Sequence, residues 1–197
     1  MPLFISEEKS VFDVWYADVL VNTVNCQGAM GAGLAKAFVE RFPSIYSPYE
    51  AACGLRMNCD GSPLPSFDRT PKSRLPQCLC EGQFDRTCSV HRMRPGAVQA
   101  VRVAPGGAHP SASVILNLPT KILWSGPSSV DVVARSVSEL AAGLRRAAAR
   151  FHTVAMPPPG CGFGGLDWEA EVKPMVMNLL ADVPQEVVVC LNRRPRG

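Results

Sequence analysis

Short runs of Val and Leu alternate along this chain with segments whose apolar residues recur every three or four positions. That alternation decides the class of fold before any other feature is weighed. Ala17 to Asn25 reads as a buried strand. Leu34, Phe38 and Phe42 follow four apart, with Ala35 and Val39 beside them, which is a helical face stopped by Pro43. Val98 to Val103 and Ser113 to Leu118 predict two further strands, joined by a turn at Pro105-Gly106-Gly107. Ser129 to Phe151 predicts the clearest helix: Val133, Val137, Leu140 and Leu144 form one stripe, Ser128 or Ser129 suits its N-cap, and Arg145, Arg146 and Arg150 suit its C-terminal end. Thr153 to Met156 predicts a short strand, Met175 to Leu180 a helix with Pro174 at its first turn, and Glu186 to Leu191 a last buried strand. The tail Arg193 to Gly197 is expected to be disordered. Elements in this order predict an α/β fold, a sheet with helices on both faces.

The 197 residues suffice for one domain with a real core and are too few for two ordinary ones. Apolar content of 47% and charged content of 19% are the balance of a soluble globular protein. A net charge of +3 is too small to argue for a polyanionic partner. The N-terminus carries acids where a signal peptide has bases, and no apolar run approaches the length of a membrane span, so the expected location is the cytoplasm.

Residues 54–93 interrupt the rhythm with scattered prolines and no sustained period, and read as an insertion within the single domain 1–197. Five of the eight cysteines crowd between Cys53 and Cys88, in a compartment where disulfides are not expected. Cys78 and Cys80 are followed by Cys88 and His91, with Cys59 upstream. Three thiolates and an imidazole would close a tetrahedral structural zinc site and hold a segment that has no core of its own. The other reading is a segment with incidental thiols. Its arginines, among them Arg69, Arg86 and Arg92, either lie along nucleic acid or form a solvated surface.

In open α/β sheets ligands bind beyond the carboxyl ends of the strands. Two glycine-rich stretches stand at such ends. The first, VNTVNCQGAMGAG, runs from strand to helix, and its glycines let the backbone approach a ligand whose phosphate would meet the free amides of that helix. A plain tight turn explains it equally well. The second, PPPGCGFGGLDW, has four glycines between positions 160 and 165, and successive amides there can form an anion nest. Asp167 at its end reads as a helix N-cap. Two such loops suit a ligand with two phosphates. Lys121, in NLPTKILW, is either a solvated charge or a base, nucleophile or anchor beside a diphosphate.

VNTVNCQGAMGAGLAKAF, FPSIYSPYEAAC, RPGAV, NLPTKILW and PPPGCGFGGLDW together resemble the macrodomain family of ADP-ribose-binding and ADP-ribose-hydrolysing modules. The likeness is strongest to the branch that holds the DNA ADP-ribosyl glycohydrolase antitoxins and the human terminal ADP-ribose protein glycohydrolase. It implies a three-layer α/β/α sandwich with a mixed central sheet. It implies a hydrolase that removes ADP-ribose from a modified target, first of all thymidine in single-stranded DNA. Glu or Asp side chains of proteins, an acyl group, or binding without turnover are the alternatives. No cofactor is implied for catalysis. A cognate ADP-ribosyltransferase toxin is the implied partner, and a monomer the implied state.

The resemblance also implies roles. Asn25 matches the asparagine that holds the distal ribose, and Lys121 the catalytic lysine. Met30, Gly31, Ala32 and Gly33 match the first phosphate loop; Gly160, Cys161, Gly162, Phe163, Gly164 and Gly165 match the second. Thr120 and Trp124 flank the lysine, and Asn22 is expected to brace the turn. Two departures stand out. Ser10 occupies the place of the family's adenine-binding Asp, for which Asp13 could substitute. Gly164 stands where the human enzyme has an acid that resolves a lysine adduct. Trp124 or Phe163 would stack on a base of a bound strand, or serve only as lid or core.

Overall fold

The computed structural model describes residues 3–53 and 93–193. The element order is β1 (Leu3–Ser6), a 3-10 turn (Val11–Asp13), β2 (Val19–Asn25), α1 (Gly33–Arg41), a second 3-10 turn (Pro43–Ile45), α2 (Tyr46–Cys53), β3 (Gln99–Arg102), β4 (Val114–Lys121), α3 (Val130–Arg146), β5 (Thr153–Met156), a π-helical turn (Trp168–Val172), α4 (Lys173–Leu179) and β6 (Glu186–Cys190). The six strands form one sheet in the order β1-β6-β5-β2-β4-β3. Every neighbouring pair is parallel except β3 with β4, so the sheet is mixed.

Alternation along each strand builds two cores. Leu20, Val24, Ile115 and Val188 face one side, packed against Phe38 of α1 and Tyr49 of α2. Val19, Val21, Leu118 and Val187 face the other, packed against the α3 stripe of Val133, Val137, Leu140 and Leu144 and against Val176 of α4. The result is the α/β/α sandwich. Ser129 caps α3, its hydroxyl accepting from the Val132 amide, and Asp167 caps the π-helical turn by accepting from Ala170. Asp18 ties the strand starts together: its carboxylate accepts from the amides of His152 and Thr153.

Several expectations shift. The third predicted strand runs on to Lys121, through Pro119, rather than ending at Leu118. The long helix ends at Arg146, leaving Arg150 outside it. The π-helical turn and α4 start at Trp168, ahead of the predicted Met175. Helix α2 and strand β1 carry no clear period and were not expected. The proposed zinc ligands Cys59, Cys78, Cys80, Cys88 and His91 lie outside the described residues. Among the described residues no cluster of His, Cys, Asp and Glu is arranged to hold a metal, and no helix is long and apolar enough to cross a membrane.

Candidate functional site

The parallel pairing of β2 with β4 slips by one residue at its carboxyl end. Val24 pairs with Pro119, but Asn25 pairs with Lys121, so Thr120 is an extra residue in β4. Such bulges re-aim the side chains that follow them. Thr120 is buried, and its hydroxyl donates to the Val24 carbonyl at 3.4 Å. The slip sets Asn25 and Lys121 side by side at the strand ends. Lys121 is half-buried, and its Nζ donates to the Gly126 carbonyl at 3.3 Å.

The two asparagines of β2 divide their work differently from the expectation. Asn22 is fully buried, and its Nδ2 donates to Asn117 Oδ1 at 3.0 Å and lies 3.9 Å from Met30 Sδ. Asn117 donates on to Gln99 Oε1 at 2.9 Å, and Gln99 to the Pro48 carbonyl at 2.9 Å. Asn22 therefore belongs to a row of carboxamides across three strands beneath the first loop. The bracing of the turn falls to Asn25: its Oδ1 accepts from the amides of Gln27 and Ala29, and its Nδ2 donates to the Ala29 carbonyl at 2.6 Å.

Helix α1 is the one α-helix preceded by the first glycine loop, and its N-cap Ala32 offers no side-chain cap. Its first turn holds no acid either. The Val11–Asp13 turn, α3 and the π-helical turn are capped by side chains, whereas α1, α4 and the Pro43–Ile45 turn are not; of these three, α1 alone follows a glycine loop at a strand's carboxyl end, which makes its bare amides the place for an external anion. Met30 is buried beneath the loop, while Gly31 borders open space.

The second loop folds tightly on itself. Leu166 N donates to Gly160 O and Gly165 N to Gly162 O, each at 3.1 Å. Among the described residues the amides of Gly162, Phe163 and Gly164 enter no backbone hydrogen bond, which leaves them for a ligand. A Cβ at Gly162 would meet nothing within 4 Å, whereas one at Gly164 would strike Ser128 Oγ and Gly160 O. A side chain at 164 would therefore force this loop to open. The two loops meet where the Phe163 ring lies over Gly33, a residue at φ 56° whose Cβ would sit 2.8 Å from that ring. Phe163 is nonetheless 76% exposed and Trp124 49% exposed, so both line the rim. Trp124 is held through its amide, which donates to Gln27 Oε1 at 2.8 Å.

Cys161 is half-buried, and burial, helped by Asp167 and Glu171, pushes its thiol up to about 12, which disfavours the thiolate form. Beyond the second loop a cavity of about 300 Å³ is bounded by Pro158, Gly162, Trp168, Leu191 and Arg193. Among the described residues the buried Trp168 indole N–H has no partner. A larger hollow of about 410 Å³ lies between β3 and the end of α3, lined by none of the site residues. Ser10 and Asp13 cap each other: the Ser10 hydroxyl accepts from Phe12 N and the Asp13 carboxylate from Ser10 N at 2.8 Å, so Asp13 is engaged within its own turn.

Tyr49 and Gln27 escaped the sequence reading. Tyr49 lay in a matched block, FPSIYSPYEAAC, but nothing in its spacing pointed to Asn25.

No family model matches the chain. The DNA ADP-ribosyl glycohydrolase of Mycobacterium tuberculosis is 29% identical over 167 residues, covering 85% of this chain and 36% of that protein. A DNA ADP-ribosyl transferase–DNA ADP-ribosyl glycohydrolase fusion protein of Thermosipho africanus is 24% identical over 177 residues, 89% of this chain and 39% of that one. The chain thus spans little more than a third of the length of these relatives. Among solved structures, the macrodomain of Mycobacterium tuberculosis DarG superposes with a TM-score of 0.68 at 25% identity, covering 96% of this chain and 99% of that one.

Proposed function

We propose that this chain, whose fold is similar to that of a macrodomain, is a hydrolase removing ADP-ribose from a modified target, foremost from ADP-ribosylated thymidine in single-stranded DNA. One observation carries the reading: the bulge at Thr120 pairs Asn25 with Lys121 beside two loops whose amides are free for a diphosphate. The relatives named for glycohydrolase action on DNA supply the substrate class.

In this mechanism the diphosphate lies between Gly31–Gly33 and Gly162–Gly164, with the helix dipole of α1 behind it. The distal ribose then reaches Asn25 and Lys121. Cleavage passes through an oxocarbenium-like state, and water supplies a hydroxyl to the anomeric carbon and a proton to the departing base. Neither matched loop carries a carboxylate pair, so catalysis rests on positioning and preorganised dipoles. Asn25 orients the sugar, and the Lys121 ammonium contacts the ribose hydroxyls or the departing base. Trp124 and Phe163, on either side of the rim, stack on bases of the strand. The enzyme acts in the cytoplasm, opposite an ADP-ribosyltransferase of the kind fused to the Thermosipho relative.

The experiment is parallel incubation with ADP-ribosylated single-stranded DNA and with glutamate-modified protein, following ADP-ribose release. Release from DNA supports the reading, and release only from protein moves the substrate to acidic side chains. Lys121→Ala is expected to keep ADP-ribose binding and lose turnover; unchanged turnover removes Lys121 from the mechanism. Binding without turnover is the second reading, kept open because Asp13, the candidate substitute for the adenine-binding Asp that the resemblance implies, is engaged in its own cap.

A further inference from the structure

Asn25 is held by more than its loop. The Tyr49 hydroxyl, from α2, stands 2.7 Å from the Asn25 main-chain oxygen and 3.1 Å from its Oδ1. The other partners, Gln27 and Ala29, belong to the glycine loop itself and move with it. Tyr49 does not: its ring is fully buried in the core with Phe38 and Ile45. The backbone of Asn25 is tied to the sheet by its pairing with Lys121, but among the described residues Tyr49 is the one contact from outside the loop that reaches the Asn25 side chain.

The chemistry of a carboxamide makes that reference specific. Its oxygen only accepts and its nitrogen only donates. Oδ1 accepts from the Gln27 and Ala29 amides and shares the single Tyr49 hydroxyl hydrogen with the Asn25 main-chain oxygen, and one Nδ2 hydrogen goes to Ala29 O, so the carboxamide has a single orientation and one N–H left over. We infer that Tyr49 is a positioning residue for the reaction: its hydroxyl locks the Asn25 side chain so that the remaining N–H is presented to the distal sugar. This rests on the hydrolase reading for its catalytic consequence, and on geometry alone for the lock. Burial raises the Tyr49 pKa, so the hydroxyl keeps its proton throughout the working pH range.

Tyr49→Phe keeps the ring and deletes the hydroxyl. The expected result on ADP-ribosylated DNA is a fall in kcat of about 10- to 100-fold, as for a misplacement near 1 Å, with KM changed less than about twofold. In an Asn25→Ala background the same substitution is expected to change kcat by less than about twofold, because it acts through Asn25. Full activity in Tyr49→Phe, or an additive loss in the double variant, overturns the inference. If the unaltered protein releases ADP-ribose from no substrate, the hydrolase reading fails by itself. The lock is then judged by NMR of the unliganded protein. Asn25 carboxamide protons that shift or broaden in Tyr49→Phe support it, and unchanged protons overturn it. Should Phe at 49 not fold, the unaltered protein decides. A slowly exchanging Tyr49 hydroxyl proton close to Asn25 supports the lock, and a freely exchanging one sinks it.

Discussion

Alanine at position 164 would place a methyl group inside the van der Waals envelope of Ser128 Oγ and Gly160 O, and 2.9 Å from the Gly160 carbonyl carbon. Carbon atoms rest at about 3.5–4.0 Å, so the loop has to open by at least about half an ångström. Ser128 Oγ could rotate away, since it is buried without a partner, but the Gly160 carbonyl is main chain and already accepts from Leu166 N. Overpacking of this kind costs about 1–3 kcal/mol. A mid-range loss of about 2 kcal/mol lowers the melting temperature of a chain this size by about 4–8 °C. Gly162 is the control within the same loop. Its added methyl meets nothing within 4 Å, and its φ is not positive, so Gly162→Ala should hold stability to within about 0.5 kcal/mol. In the proposed binding mode that same methyl faces the diphosphate, so ADP-ribose affinity should fall by at least about tenfold, or about 1.4 kcal/mol. Thermal melts and calorimetric titration with ADP-ribose, run on both variants, separate the effects. Equal melting temperatures for the two, or an unaltered affinity in Gly162→Ala, would refute the assignment of one glycine to the fold and the other to the ligand.

Trp124→Ala should weaken binding of a modified single strand by about 1–3 kcal/mol while leaving the affinity for free ADP-ribose unchanged, as measured by competition titration. His109 is buried, and its Nδ1 accepts from Ala112 N; burial, reinforced by Arg41, lowers its pKa below the ordinary 6.5. The folded protein then holds fewer protons than the unfolded chain below pH 6.5, so stability should decline as pH falls through that range. His109→Asn should flatten the decline in melts between pH 7.5 and 5.5. Cys161, with its thiol pushed up to about 12, should resist iodoacetamide at pH 8 in the folded protein and react in urea. Ser129→Ala should cost about 1 kcal/mol through loss of the α3 cap, read by chemical denaturation.

What could be read in the sequence followed from periodicity and from punctuation. The α3 stripe, the apolar runs of β2, β5 and β6, and the caps at Ser129 and Asp167 each rest on one local pattern, and the structure carries all of them. Pro119 misled because proline usually ends a strand; here it sits immediately before a bulge. Pro48 hid α2 in the same way, although it lies in the helix's first turn, where a missing N–H costs nothing. The two asparagines were indistinguishable by type. Their roles depend on what reaches each of them from β4 and α2, which is not local. The uncapped start of α1 could be read from the absence of Ser, Thr, Asn or Asp before Gly33, but its meaning needed the neighbouring caps for contrast.

The carboxamide row beneath the first loop has a sense of direction. Asn22 donates to Asn117, Asn117 to Gln99, and Gln99 to Pro48, always the same way, leaving Asn22 Oδ1 as an unfilled end. A row of this kind cannot drift one residue at a time. Asp at 117 would set an acceptor against the Gln99 oxygen, and Leu at 99 would strand a buried donor, each at about 1–3 kcal/mol. In lineages descended from this sequence the three positions should therefore change together or not at all. Their joint replacement by apolar residues would be the easier evolutionary step than any single substitution on the way to it.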